Sequence, residues 1–222
     1  MAFLPNIGSG QDDLALEPEG KDILDTIVIP EIHFVDTEFT SALDFLEGRA
    51  REIQSKAGQD PQPLNLVVLA EERLQEDTVF LQLSQVPLRT ALTTTAEMVG
   101  AHITRRPELI LISRGGIPNV VERLPGHEAL EEELKSIRLS KLELQDAMLR
   151  DVLDFLRERS KELDRNDDLR EGVNLVLKQP QPVRITLNLE DVSLFSALEA
   201  AALASGYQMQ IREHLVVFDL RR

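Results

Sequence analysis

The sequence predicts an α+β fold built as two tandem βαββαββ modules, each a small sheet with two helices packed on one face. Two observations carry this. The chain repeats itself, and within each copy the apolar spacing switches between the two-residue period of a strand and the three-to-four-residue period of a helix. Ile27-Val-Ile-Pro-Glu-Ile-His-Phe-Val-Asp36, followed by Ala42-Leu-Asp-Phe-Leu46, returns 110 residues later as Ile137-Arg-Leu-Ser-Lys-Leu-Glu-Leu-Gln-Asp146 and Val152-Leu-Asp-Phe-Leu156. Ile27, Asp36, Leu43, Asp44, Phe45, Leu46, Arg49 and Glu52 are identical in the two copies. The offset then falls to 109 at Asn65 and Asn174 and to 106 from Leu81 and Leu187 onward, so the second copy is four residues shorter. The expected place for that difference is the connection around residues 70–78.

Taken in order, residues 27–35 read as a strand interrupted by Pro30, which cannot donate to a ladder and so belongs at an edge or a bulge. Phe39, Ala42, Leu43, Leu46, Ala50 and Ile53 mark one helix face, with Asp36 or Thr37 as the expected N-cap. Gly58-Gln-Asp-Pro-Gln-Pro63 breaks the chain before a strand at Leu64–Leu69. A further strand, Thr78–Leu83, leads into a helix that opens near Pro87 and carries Leu88, Ala91, Leu92, Thr95, Ala96 and Val99. Gly100 is the expected helix terminator, and 101–105 with 109–113 the closing hairpin. The second copy repeats each step, with Gly206 in the place of Gly100. Of the core candidates, Leu43, Phe45, Leu46, Leu92, Leu153, Leu156 and Leu198 should be buried, except that one of Phe45 and Leu46 is free to face a rim.

The expected boundaries are an acidic, flexible segment at 1–22, a first module at 23–113, a linker at 114–133 and a second module at 134–220. With 222 residues, each module can bury a core of its own. The net charge of −15 is unevenly shared, at −4, −7, −3 and −1 over those four stretches, the last counted to residue 222. That excess of acid works against a phosphate backbone as a partner, because binding one requires clustered Lys and Arg. No Gly-x-x-Gly occurs to clamp a nucleic-acid backbone, and one Tyr with no Trp leaves little for base stacking. With no cysteine, disulfides and thiolate chemistry are excluded in any compartment.

The string Val79-Phe-Leu-Gln-Leu-Ser-Gln-Val-Pro-Leu-Arg-Thr-Ala-Leu92, continued through Gly100 to Leu109-Ile-Leu-Ile112, resembles the short N-terminal domain shared by secretins and TonB-dependent receptors. Ile185-Thr-Leu-Asn-Leu-Glu-Asp-Val-Ser-Leu-Phe-Ser-Ala-Leu198, through Gly206-Tyr207 to Leu215-Val-Val-Phe218, resembles it more closely. The resemblance implies a periplasmic module that packs against neighbouring domains or subunits, has no enzymatic activity and needs no cofactor. No secretin barrel and no TonB-type plug accompany the two copies, so it implies the module and its mode of use rather than a channel. The resulting expectation is a protein–protein interaction or scaffold piece of a bacterial envelope assembly, secretin- or pilus-like. The alternative is a periplasmic signalling domain of a TonB-dependent receptor-like system. Partners are then other envelope proteins or further copies of the chain, with no nucleic acid and no membrane insertion. The first ten residues lack the charged and apolar regions of an export signal, so the expected place is the periplasm if a signal has been removed and the cytoplasm otherwise.

No catalytic, cofactor-binding or metal site is expected. His33, His102, His127 and His214 fall in different elements without metal-ligand spacing. Asp164-Arg-Asn-Asp-Asp168 imitates the start of a calcium loop, but Leu169 and Leu175 stand where glycine and glutamate are required. Asp44 and Asp154 occupy equivalent positions in separate copies, which suits a shared structural role better than an acid–base pair. Ser9 and Ser205 precede glycines without forming a nucleophile elbow, and Arg114-Gly-Gly116 reads as a hinge.

Overall fold

The computed structural model describes residues 22–69, 74, 77–163 and 172–221. Among them no helix is long and apolar enough to cross a membrane. The acidic segment up to residue 21, Ser9 within it, and the calcium-loop imitation at 164–168 lie outside the described residues.

The chain is α+β. After a short helix α1 (Ile23–Thr26), strand β1 (Val28–Glu38) runs directly into α2 (Phe39–Lys56), followed by β2 (Leu66–Val68), β3 (Thr78–Pro87), α3 (Leu88–Met98), β4 (His102–Arg105) and β5 (Ile110–Ser113). Strand β6 (Val121–Arg123) and helix α4 (Glu128–Ser136) come next. Then β7 (Arg138–Met148), α5 (Leu149–Leu163), β8 (Leu175–Leu177), β9 (Arg184–Ser193), α6 (Leu194–Ser205), β10 (Tyr207–Ile211) and β11 (Val216–Leu220) repeat the earlier order.

Three features depart from the sequence expectation. The strands of each half divide between two sheets rather than one: among the described residues β1 pairs only with β3 and β7 only with β9, while the rest form sheets ordered β2-β5-β4 and β6-β10-β11-β8. The cause is length and exit direction. The long ribbon strands run without a loop into α2, α3, α5 and α6, and a two-stranded ribbon twists more strongly than a wider sheet. Next, the stretch 114–133 contains β6 and the start of α4, so it is built into the second half, and Arg114 is anchored by its Nε to the Val99 carbonyl (2.9 Å) and by an ion pair with Asp77. Finally, neither Asp36 nor Thr37 caps α2. Both are still in β1, where Asp36 has a positive φ of 50° beside an irregularity in the ladder, and the first amide of α2, that of Phe39, donates to the Asp77 carbonyl.

The helix faces are as the spacing dictates. Phe39, Ala42, Leu43, Leu46 and Ala50 of α2 are buried, as are Leu149, Val152, Leu153 and Leu156 of α5, while Phe45 sits at the rim with its edge against Phe34. Gly100 and Gly206 follow α3 and α6 with φ of 71° and 74°, the left-handed geometry that frees the last helical turn from steric cost. A third glycine has a stricter role. A Cβ on Gly172 (φ 77°) would lie 2.5 Å from the Arg157 carbonyl oxygen, where the chain returns to α5 and the Val173 amide donates to Ser160 Oγ (2.8 Å). Gly172→Ala is therefore expected to cost about 1 to 3 kcal/mol, read as a lowered midpoint in urea.

The core lies in two bodies that share a wall. Strand alternation sends Ile110 and Ile112 of β5 towards α2 and α3, and sends Leu109 and Leu111, with Val67 and Leu69, into the apolar cluster of the second half. The helix on the far side of that wall is α6. Eleven of its twelve residues are buried, and its alanines, 197, 200, 201, 202 and 204, let it approach both its own strands and the wall closely. A helix apolar on all sides is stable only when covered on all sides.

Candidate interaction surfaces

Two sets of residues set the chemistry of the surface: those that join the halves, and those on strand edges and faces that the fold leaves open. The joint is polar at its rim. Asn65, held at a left-handed φ of 48°, donates from Nδ2 to the Glu108 carbonyl (3.1 Å) and to the Glu190 carbonyl (3.0 Å), and its Oδ1 accepts the Glu190 amide (2.8 Å). Arg51 adds an ion pair to Glu190 at 2.8 Å. Glu108 reaches the first turn of α6, where its Oε2 accepts the Ser193 amide (2.9 Å) and hydroxyl (2.6 Å), and it also pairs with Arg138. Burial opposes the Glu108 charge, but donors from Ser193, Ser196 and Arg138 outweigh it and hold the carboxyl at about 2. The N-terminal end of the α6 dipole works in the same direction.

Beside this rim, a cleft of about 290 Å³ is lined by Arg106, Glu108, Lys135, Phe195, Ser196 and Glu199, among others. Glu199 is the one residue of α6 that is not buried, and desolvation raises its carboxyl above the ordinary range despite Arg106 and Arg123 nearby. Arg123 and Lys135 both stand about 6 Å from the Phe195 ring centroid, at 6.0 and 5.9 Å. Of the cleft's polar groups, Glu108 and Ser193 join the halves: the Ser193 hydroxyl donates to Glu108 and accepts the Ser196 amide, as an N-cap does.

The residues weighed from sequence are scattered. His33, His102 and His214 are exposed on β1, β4 and the β10–β11 turn, and His127 Nδ1 lies 2.9 Å from the Leu124 carbonyl at the start of α4. Asp44 and Asp154 are both exposed on their own helices, Asp154 with Arg157 at 3.6 Å. Ser205 Oγ donates back to the Ala201 carbonyl (2.6 Å). Among the described residues no group of three or more His, Asp or Glu side chains is arranged to hold a metal.

The open edges differ between the halves. On the outer side of β10, strand β6 is added in parallel, Val121 opposite Met209 and Arg123 opposite Ile211, with the Met209 amide donating to the Val120 carbonyl (2.6 Å) and the Leu124 amide to the Ile211 carbonyl (3.0 Å). Strand β4 occupies the same place in the first half, with Ile103 and Arg105 at the positions of Met209 and Ile211. Among the described residues it pairs with β5 alone. Its row is basic, with His102, Arg105 and Arg106, and Arg105 is bound to Asp22 at 2.7 Å. Sequence reasoning identified exposed edges in general; the strand that occupies the β10 edge comes from the stretch read as linker.

Comparison with protein-family models, curated proteins and solved structures yields no match. The functional reading rests on the geometry and on the sequence resemblance.

Proposed function

We propose that the chain is a non-enzymatic protein–protein interaction or scaffold module of a bacterial envelope assembly, of the kind that the short N-terminal domains of secretins and TonB-dependent receptors represent, working in the periplasm. The observation that supports this best is the pair of equivalent edges, β10 completed by a parallel strand and β4 paired, among the described residues, with β5 alone. A partner strand adding to β4 gains main-chain hydrogen bonds at Ile103 and Arg105, and acidic side chains on it meet His102, Arg105 and Arg106. The net charge of −15 disfavours nucleic acid as the partner.

The test is capture from an envelope extract by the full chain and by two edge variants, with thermal melts as controls. Arg105→Pro removes an outward amide without touching the β4–β5 pairing bonds, and Arg105→Glu reverses the charge of the edge. The expected result is a specific envelope protein retained by the wild type and lost from both variants at unchanged melting. Retention of the same protein by both variants, or submicromolar saturable binding of DNA or RNA at about 150 mM salt, would overturn the reading.

A further inference from the structure

We propose that the β8–β11 end of the molecule is a docking face for the β1–β3 ribbon of a second copy, so that the chain associates head to tail. The inference extends the interaction reading above to a different surface and a named partner. It rests on a repeated joint. In the first half, the Asn65 carbonyl accepts the Ile110 amide (3.0 Å) and Nδ2 donates to the Glu108 carbonyl (3.1 Å), after which the rest of the side-chain amide seizes the Glu190 main chain. At the far end, the Asn174 carbonyl accepts the Val216 amide (2.8 Å) and Nδ2 donates to the His214 carbonyl (3.1 Å). There the likeness stops: Asn174 is exposed, and among the described residues nothing takes the part of Glu190. At the apolar wall the contrast holds at one position and not at another, since Val217, at the place of Leu111, is itself 2% exposed. Val67, covered by the second half, is 1% exposed, and Val176, at the same place in β8, is 43% exposed.

What the first joint holds is the β7–β9 ribbon with the start of α6, and the ribbon has a twin. Strands β1 and β3 pair in the register of β7 and β9: Glu31 faces Ser84 as Lys141 faces Glu190, and the ladder breaks between Phe34 and Thr37 as between Leu144 and Ala147. The left-handed residues also recur, Asp36 with Asp146 and Gln85 with Asp191. The Arg51–Glu190 ion pair has no charged counterpart, Lys161 and Ser84 standing at those places, but at a second position the charge has changed sign on both sides at once. Glu47 of α2 and Lys141 of β7 line one cleft between the halves. Their counterparts are Arg157 and Glu31, again opposite, so a second copy's ribbon brings a carboxylate to a guanidinium. The Glu108–Arg138 pair becomes His214 and Val28, so neither the carboxylate nor the guanidinium of that pair recurs, and Val28 is itself 43% exposed.

Pro87 stands where Ser193 donates both its amide and its hydroxyl to Glu108, and proline has neither donor. Association between copies is therefore weaker than the internal joint and depends on concentration. Because the two faces differ, it is heterologous and continues from copy to copy.

Sedimentation velocity of the full chain over a range of concentrations tests this. The wild type is expected to show a rising weight-average sedimentation coefficient. Val176→Glu at one face and Glu31→Lys at the other should each weaken association by about tenfold or more, equivalent to about 1.4 kcal/mol, with melting unchanged. An equimolar mixture of the two variants retains one intact face of each kind and should stop at a dimer, whereas Glu31→Lys combined with Arg157→Glu should regain association. A wild type monomeric at every concentration, or association indifferent to both single variants, would overturn the proposal. Either result leaves the β4 reading intact, since that is decided by the Arg105 variants and an envelope partner.

Discussion

Leu111→Ala is expected to lower the unfolding free energy by about 2 to 5 kcal/mol and to do so in a single transition of the whole chain. Leu111 is fully buried, belongs by sequence to the first half and packs within the cluster of the second. Truncating it removes apolar contact and leaves a cavity against a neighbouring body that cannot close up independently. If the halves were thermodynamically separate, the first would lose stability and the second would melt as before. Differential scanning calorimetry distinguishes these outcomes: one endotherm shifted down, with calorimetric and van't Hoff enthalpies in agreement, is the expected result. Leu198→Ala, on α6, should behave alike, because it faces the same cluster.

Glu108→Gln should cost about 1.5 to 3 kcal/mol at neutral pH, the range for hydrogen bonds to a charged group, and its cost should vanish in acid. The folded-state value of about 2 lies below the ordinary 4.5, so the carboxylate stabilises the native state fully above about pH 4.5 and loses that contribution as the pH falls towards 2. Urea midpoints across pH 2 to 7 should then converge for wild type and variant at the acid end and diverge above pH 4.5. Parallel curves would mean that the Ser193 and Arg138 contacts do not depend on the charge.

Much of the fold was legible because each copy states its elements locally. The α2 and α5 faces follow from their apolar spacing, Gly100 and Gly206 mark helix ends, and the repeat holds its offset through each element. Of the four residues missing from the second copy, three are lost between β2 and β3 and one before β2, so the difference is not confined to the connection around residues 70–78 as expected. What was not legible depends on partners far along the chain. Strand β6 has three residues and no alternating pattern, and it is a strand only because β10, more than 80 residues later, offers an edge. Glu108 reads as an ordinary surface acid until Arg138 and Ser193, 30 and 85 residues away, are brought to it. The division of strands into two sheets was hidden for a related reason, since local alternation tells which side of a strand is apolar and not which neighbour it will take.

The shared wall has a consequence in time. Leu109 and Leu111 leave the ribosome more than 80 residues before α6, the helix that covers them. At the usual 5 to 20 residues per second, that is an interval of about 4 to 17 seconds in which the first half can be complete on its inner side and bare on its outer one. A nascent chain in that interval displays an apolar β-sheet face with no cover of its own. Arrested or truncated products ending before Leu194 should therefore be the forms of this protein most dependent on chaperones and most readily lost to aggregation.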